Sequence, residues 1–200
     1  MPRVELHRAI LIPYACALVN AVAAIALATV LAPGATTAPT EVNAEYVRAH
    51  IEVWRAGWLL WTAAALSLIA FFAWWVARLE RATVLWIALG IACAGLAFDL
   101  VAESLLAWWS PDRYLDTAPA AFRLTGIGAN GLYSVAGLIL TARTPVLPRW
   151  LAQWSWTVWL LGIGLAGAVA IGSDMAARLL TAALFALLVP WLVVFGRRLA

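Results

Sequence analysis

Two carboxylates, Asp99 and Glu103, stand one helical turn apart in an otherwise apolar run, Leu96–Trp109, with AFDLVAESLLAWW at its heart. An ionisable side chain in hydrocarbon is costly and marks an ion, proton or substrate site by default. Their i,i+4 spacing sets both on one helix face, where two anions repel and a compensating group is expected. Arg55, Arg123 and Arg178 stand at the heads of other apolar segments and are the candidate partners. Asn130, Tyr133 and Ser134 lie about two turns into a neighbouring segment, and Asp174 precedes Arg178 by one turn. The candidate binding set for a small solute, ion or proton is therefore Asp99, Glu103, Asn130, Arg55, Arg123, Arg178, Tyr133 and Asp174. Each also has a structural reading: an ion pair that fixes helix register, an amide bonded to a helix backbone, or arginines that snorkel to an interface.

The elements that must position these groups are membrane spans. With 66% hydrophobic and 12% charged residues and a mean hydropathy of +0.93, the chain is far more apolar than a soluble domain. Six segments are long enough to cross about 30 Å of hydrocarbon, near 9–32, 56–77, 83–108, 123–142, 151–172 and 177–196. The expected fold is all-α, residues 1–200 forming a single six-helix transmembrane domain. The alanines of Ala26–Ala28 resemble a cleavage site, but the run before them is too long for a signal peptide and reads as a retained first span.

Two longer connections carry polar residues, Ala32–Gly57 and Ser110–Arg123, the second read as irregular. In the first, Pro33-Gly34 breaks the helix and Thr40 can cap a new one carrying Glu41 and Glu45 in its first turn. Val47, Ile51, Trp54, Trp58 and Trp61 share one face of it, and Arg48 can pair with Glu52. The second helix is thus expected to begin outside the bilayer near Glu41, continue inward unbroken, and either extend into solvent or cover a site.

Arg3, Arg8, Arg78, Arg81, Arg143, Arg149, Arg197 and Arg198 fall at one end of this layout, so both termini are expected in the cytoplasm of a bacterial inner-membrane protein. Asp99 and Glu103 then lie roughly 24 and roughly 30 Å along the third span, in the outer part of the membrane. Tryptophans are expected in interfacial belts, Trp54, Trp58, Trp108 and Trp109 outside and Trp74, Trp75, Trp86, Trp150, Trp154 and Trp191 inside. Gly162/Ala166, Gly164/Ala168 and Ala168/Gly172 in the fifth span suit close helix packing. Ala17/Ala21 and Ala24/Ala28 in the first offer the same, or a face for a partner protein.

Composition also excludes chemistry. All thirteen basic residues are Arg, so no lysine Schiff base, and hence no retinal, can form. His7 and His50 are expected on opposite sides of the membrane, which rules out bis-histidine haem. H-E-x-x-H, Walker and G-x-G-x-x-G motifs are absent, as is an intramembrane Ser/His pair. Asp99 and Asp174 lack the setting of an intramembrane aspartyl protease. Cys16 and Cys93 read as buried small hydrophobes with no metal spacing. The basic pI reflects loop anchoring, not a nucleic-acid patch.

In size, span count and termini-in layout the chain resembles the substrate-binding S-components of energy-coupling-factor vitamin transporters, its only shared sequence feature being Ala-xxx-Ala spacing in the first span. That resemblance implies a ligand bound from outside beneath the first extracellular loop. The leading expectation is a small membrane protein that binds, transports or senses a solute, ion or proton at an outward-facing polar pocket. The alternatives are an accessory or scaffold subunit of a membrane complex, its polar cluster structural, and an enzyme acting on lipid or quinone through a pocket open sideways to lipid.

Overall fold

A computed structural model describes residues 3–79, 82–108 and 111–200, with side chains described from residue 10 onward. Arg81 and Trp109 lie outside the described residues, as do the side chains of Arg3, His7 and Arg8. The chain is all-helical, with no strand among the described residues. Its α-helices are α1 (Arg3–Ala26), α2 (Glu41–Ala49), α3 (Ile51–Val76), α4 (Thr83–Trp108), α5 (Tyr114–Arg123), α6 (Asn130–Ala142), α7 (Arg149–Ala170) and α8 (Asp174–Leu199). Two π-helical segments, Leu27–Leu31 and Leu124–Ala129, continue α1 and join α5 to α6.

Five stretches are long and apolar enough to span a membrane: Ile10–Leu31, Ile51–Val76, Thr83–Trp108, Pro111–Ala142 and Asp174–Leu199. The chain is thus a multi-pass membrane protein. A sixth long helix, α7, packs against α6 and α8, but Gln153, several tryptophans and its glycines lower its hydropathy below that of the five.

The two polar connections depart from expectation. The helix from Glu41 is not continuous: His50 leaves helical dihedrals (φ −123°, ψ 30°) and separates α2 from α3. Its ring stacks on Tyr46 and its Nδ1 lies 3.0 Å from the Tyr46 carbonyl, competing locally with the helix ladder. Thr40 caps α2 as expected, its N–H and hydroxyl donating to Asn43 Oδ1 at 2.7 and 2.8 Å. Ser110–Arg123, expected to be irregular, is helical from Pro111, because Pro111 pre-sets the first turn and Tyr114, Ala118, Ala121 and Phe122 form a buried face. Arg48 approaches Glu41 and Asp112 at 3.9 and 3.5 Å, while Glu52 pairs with Arg55. These exposed pairs are worth at most about 1 kcal/mol.

Five of the tryptophans expected in belts, Trp54, Trp58, Trp74, Trp75 and Trp191, are buried in the core. Trp75, Trp191 and Phe195 pack with ring centroids 4.5 to 5.9 Å apart, and Trp159 lies 5.3 Å from Trp191. Hydroxyls satisfy two of the indoles: Trp75 Nε1 donates to Thr144 and Trp191 Nε1 to Ser155. Trp54 and Trp58 anchor a second core with Tyr114, Phe122 and Leu106. Only the more exposed Trp86, Trp108 and Trp150 keep a belt-like setting. Of the cysteines, Cys16 is buried but Cys93 is exposed.

Pro13 of α1 packs on Gly196 of α8, so the chain's two ends meet at one end of the bundle, with the larger core. The smaller core lies toward α2 and α5. Small residues let α6 and α7 approach closely, Gly137 against Trp159 and Gly162 against Ser134. Gly172 plays a different part from the packing role expected: at φ +70° it ends α7, and Ser173 caps α8.

Candidate functional site

On α4, Ala88 and Ala92 belong to the larger core and Ala102 and Leu106 to the smaller. Asp99 and Glu103 stand where one core gives way to the other, each with at least 97% of its surface buried. Their partners are hydroxyls. Asp99 Oδ1 accepts from Thr125 Oγ1 at 2.5 Å and Oδ2 from Tyr133 OH at 2.9 Å, which ties α4 to the second π-helical segment and to α6. Glu103 Oε2 accepts from Thr62 Oγ1 of α3 at 2.5 Å, while Oε1 has no hydrogen-bond partner.

None of the three arginines compensates either acid. Arg55 bonds Glu52 and donates Nε to the Ala107 carbonyl at 3.0 Å. Arg123 is exposed and forms no ion pair among the described residues. Arg178 is also exposed, its Nη2 lying 3.5 Å from the Ala32 carbonyl. The physical reason is reach. Each arginine sits at a helix end among partners nearer the surface, while the acids lie inside the bundle where threonine and tyrosine can donate without bringing a second charge.

Two cavities lie beside this cluster. The larger, about 350 Å³, is walled by α3, α7, α8 and both π-helical segments, with Thr125, Gly126 and Asn130 on one side and Ala24 and Ala28 on another. Its size falls within the roughly 300–1,000 Å³ of small-molecule sites. The smaller, about 50 Å³, shares Trp61, Thr125, Asn130 and Phe185 with it and reaches inward to Asn20, Asp99, Tyr133 and Ser134. The lining is mainly apolar and aromatic: Trp58, Trp61, Phe122 and Phe185 form a connected series with centroids 5.5 to 6.4 Å apart.

Asn130 belongs to both cavities. Its Nδ2 donates to the Thr125 carbonyl at 3.0 Å, which also accepts the Asn130 backbone N–H. The same amide group has Oδ1 and a second N–H to offer. Asn20 of the first span, which lines the smaller cavity, donates to Ser67 Oγ at 3.1 Å.

The larger cavity has a roof. Asp174, at the start of α8, accepts from the Thr37 amide at 3.1 Å and the Thr37 hydroxyl at 2.5 Å, and from the Thr36 hydroxyl. The Tyr114 hydroxyl donates to the Gly34 carbonyl, and Asn43 Nδ2 to the Pro33 carbonyl at 2.7 Å. Gly34 fits because a Cβ there would meet the Trp54 ring at 2.4 Å. Segment 32–40 is thereby fastened across the cavity from α2, α5 and α8.

Of the eight residues expected from the sequence, Asn130, Asp174 and Arg178 line the larger cavity and Asp99, Tyr133 and Asn130 the smaller; Glu103, Arg55 and Arg123 line neither. Trp58 and Trp61 of the aromatic wall were legible only as one face of a helix, and Phe122, Phe185, Thr125, Thr62, Thr36 and Thr37 were not singled out from the sequence. Their one signal is negative: hydroxyls are the remaining donors once arginine cannot reach a buried acid. Among the described residues no group of three His, Cys, Asp or Glu could hold a metal ion. No family model, curated protein or solved structure matches the chain.

Proposed function

We propose that this chain is a six-span inner-membrane protein, termini in the cytoplasm, that binds a small and largely apolar solute in the larger cavity beneath segment 32–40. In that orientation the roof and the heads of α3, α5 and α8 face outward. α7 counts as the sixth span: at 22 residues it is roughly 33 Å long, and it packs between helices that span. The observation that carries the binding reading is the convergence of both π-helical segments and Asn130 on one cavity. π-helical turns are rare, cost hydrogen-bond geometry and concentrate at functional sites. Here they widen the backbone where the cavity needs room.

An inorganic ion suits the site poorly. Asp99 already receives two donors, and both oxygens of Asp174 are committed to the roof. The walls instead offer rings and a single amide, which suits a solute with one or two polar atoms. For the acids themselves the structural reading is the better supported, since Asp99 clasps α4 to α6 from within.

Mass spectrometry of small molecules released from protein purified in mild detergent tests the binding reading. A stoichiometric solute is expected from the unsubstituted chain and is lost in Asn130→Leu, with the fold preserved by circular dichroism. A solute retained in full by folded Asn130→Leu and Thr125→Val would refute the site. Stoichiometric protein partners with no solute would favour the scaffold reading.

A further inference from the structure

The cavity is closed from above and open at the side. Among its lining residues, Ala28, Arg178 and Ala182 are exposed, and they stand on facing edges of the first π-helical segment and α8. α1 and α8 pack together away from the roof, where Pro13 lies against Gly196 and Arg197 bonds the Tyr14 hydroxyl. Toward the roof, Arg178 Nη2 lies 3.5 Å from the Ala32 carbonyl, the limit of a hydrogen bond. Between these points the slot is edged by Ala24, Ala28, Ala177 and Ala182, side chains too short to fill it. A solute arriving through the roof must break the Thr36, Thr37 and Tyr114 bonds; one arriving through the slot breaks none of them.

The slot faces the level where lipid chains meet headgroups, because Arg178 lies one turn inside the start of α8. Its guanidinium has no ion pair among the described residues. The facing acid is Asp174, one turn earlier, and its oxygens are held by Thr36 and Thr37. Inward from Arg178 the lining is mainly apolar, with Leu165, Val169, Trp61 and Phe185, its polar groups being the threonines Thr125 and Thr181 and Asn130. A cation at the mouth above an apolar, ring-lined interior complements a molecule of the same polarity gradient.

We infer that the cavity is filled sideways from the bilayer, through the slot between Ala28 and Ala182, by a single-chain amphiphile whose carboxylate or phosphate head meets Arg178 while its chain lies against Trp61 and Phe185. This rests on the binding reading above and names its ligand class and route.

The test uses the full chain in phosphatidylcholine nanodiscs, with parinaric acid and its methyl ester as probes, read by energy transfer from tryptophan. Saturable transfer at one acid per chain is expected, with the ester about tenfold weaker, as loss of a charge-assisted contact implies. Arg178→Gln should bring acid and ester within about twofold of each other by removing that contact. Ala182→Phe and Ala28→Phe, which narrow the slot, should weaken the acid at least about tenfold. Where a phenylalanine variant fails to fold, Ala182→Leu takes its place. Displacement of the probe by oleate but not by oleoyl lysophosphatidic acid assigns a carboxylate head, and the reverse a phosphate; either supports the inference. Equal acid and ester affinity in the unsubstituted chain overturns the head assignment, and undiminished binding in the folded slot variants overturns the route. A released water-soluble solute that depends on Asn130, with no saturable probe binding, sinks this inference and leaves the binding reading standing; neither solute nor probe sinks both.

Discussion

Thr125 donates its hydroxyl to Asp99 Oδ1 at 2.5 Å while lining both cavities. One side chain thus links the intramembrane acid to the wall of the proposed solute site. Its carbonyl also accepts from Asn130. Any shift of the second π-helical segment on binding would therefore be felt at Asp99 and, through it, at α4.

The clasp predicts a graded set of stabilities. Tyr133→Phe removes one interhelical bond and should cost about 1 kcal/mol, the scale of such bonds in membranes. Asp99→Leu leaves the Thr125 and Tyr133 hydroxyls without their acceptor, at about 1–3 kcal/mol each, and should be the more damaging. Asp99→Asn keeps one acceptor oxygen and should fall between. Unfolding in mixed detergent micelles, followed by circular dichroism, checks the order; Asp99→Leu as stable as Tyr133→Phe would dissolve the clasp.

Glycines divide by what a methyl group would meet. A Cβ at Gly162 would lie 2.0 Å from Ser134 Oγ, and one at Gly137 would lie 2.2 Å from the Trp159 ring. Gly162→Ala and Gly137→Ala should each lose about 1–3 kcal/mol through overpacking between α6 and α7. Gly90 and Gly167 face open space within 4 Å, so alanine there should be neutral or stabilise the helix by up to about 1 kcal/mol. Thermal denaturation of the four single variants separates the pairs, and a uniform response would contradict the packing.

The acids were legible because a charge inside an apolar run needs no alignment to be noticed. Their partners were not. Arginine is the obvious counterpart of an aspartate, and threonine in a helix ordinarily bonds its own backbone, as Thr157 does to Gln153. Nothing in the residues Leu124–Ala129 announces a π-helical turn, which is what brings Thr125 to Asp99. Tryptophan misled in the same way: its interfacial preference is a surface average, and it could not show that Trp54, Trp75 and Trp191 are fully buried. Four of the spans, set by a long hydrophobic period, were readable to within about five residues, at 10–31, 51–76, 83–108 and 174–199; the start of another at Pro111 instead of near 123, and the break at His50, each set by local chemistry, were not.

The roof predicts a local change in exchange. Asp174→Ala removes the acceptor of the Thr37 amide and of two hydroxyls, so amide exchange across 33–40 should quicken at least about tenfold, each charge-assisted bond contributing about 1.5–3 kcal/mol. α6 and α7 should keep their protection. Asp174→Asn retains one acceptor and should give an intermediate rate. Hydrogen–deuterium exchange mass spectrometry reads all three segments together, and unchanged exchange in 33–40 would mean that Asp174 does not hold the roof.

Glu103 poses the opposite case, a buried acid with one oxygen bonded and one bare. Removing only Thr62's hydroxyl, by Thr62→Val, leaves the whole carboxyl without a donor and should cost about 1–3 kcal/mol. Replacing both partners by apolar groups of similar volume removes the desolvation burden along with the bond, and such replacements are commonly neutral or stabilising. The double variant Thr62→Val/Glu103→Met should therefore unfold at or above the temperature of the unsubstituted chain, although one of its component changes is harmful alone. Glu103 lines neither cavity, so the double variant should also keep solute binding. A double variant less stable than Thr62→Val would show that the bare oxygen has a partner in the membrane, and loss of solute binding would place Glu103 in the site after all.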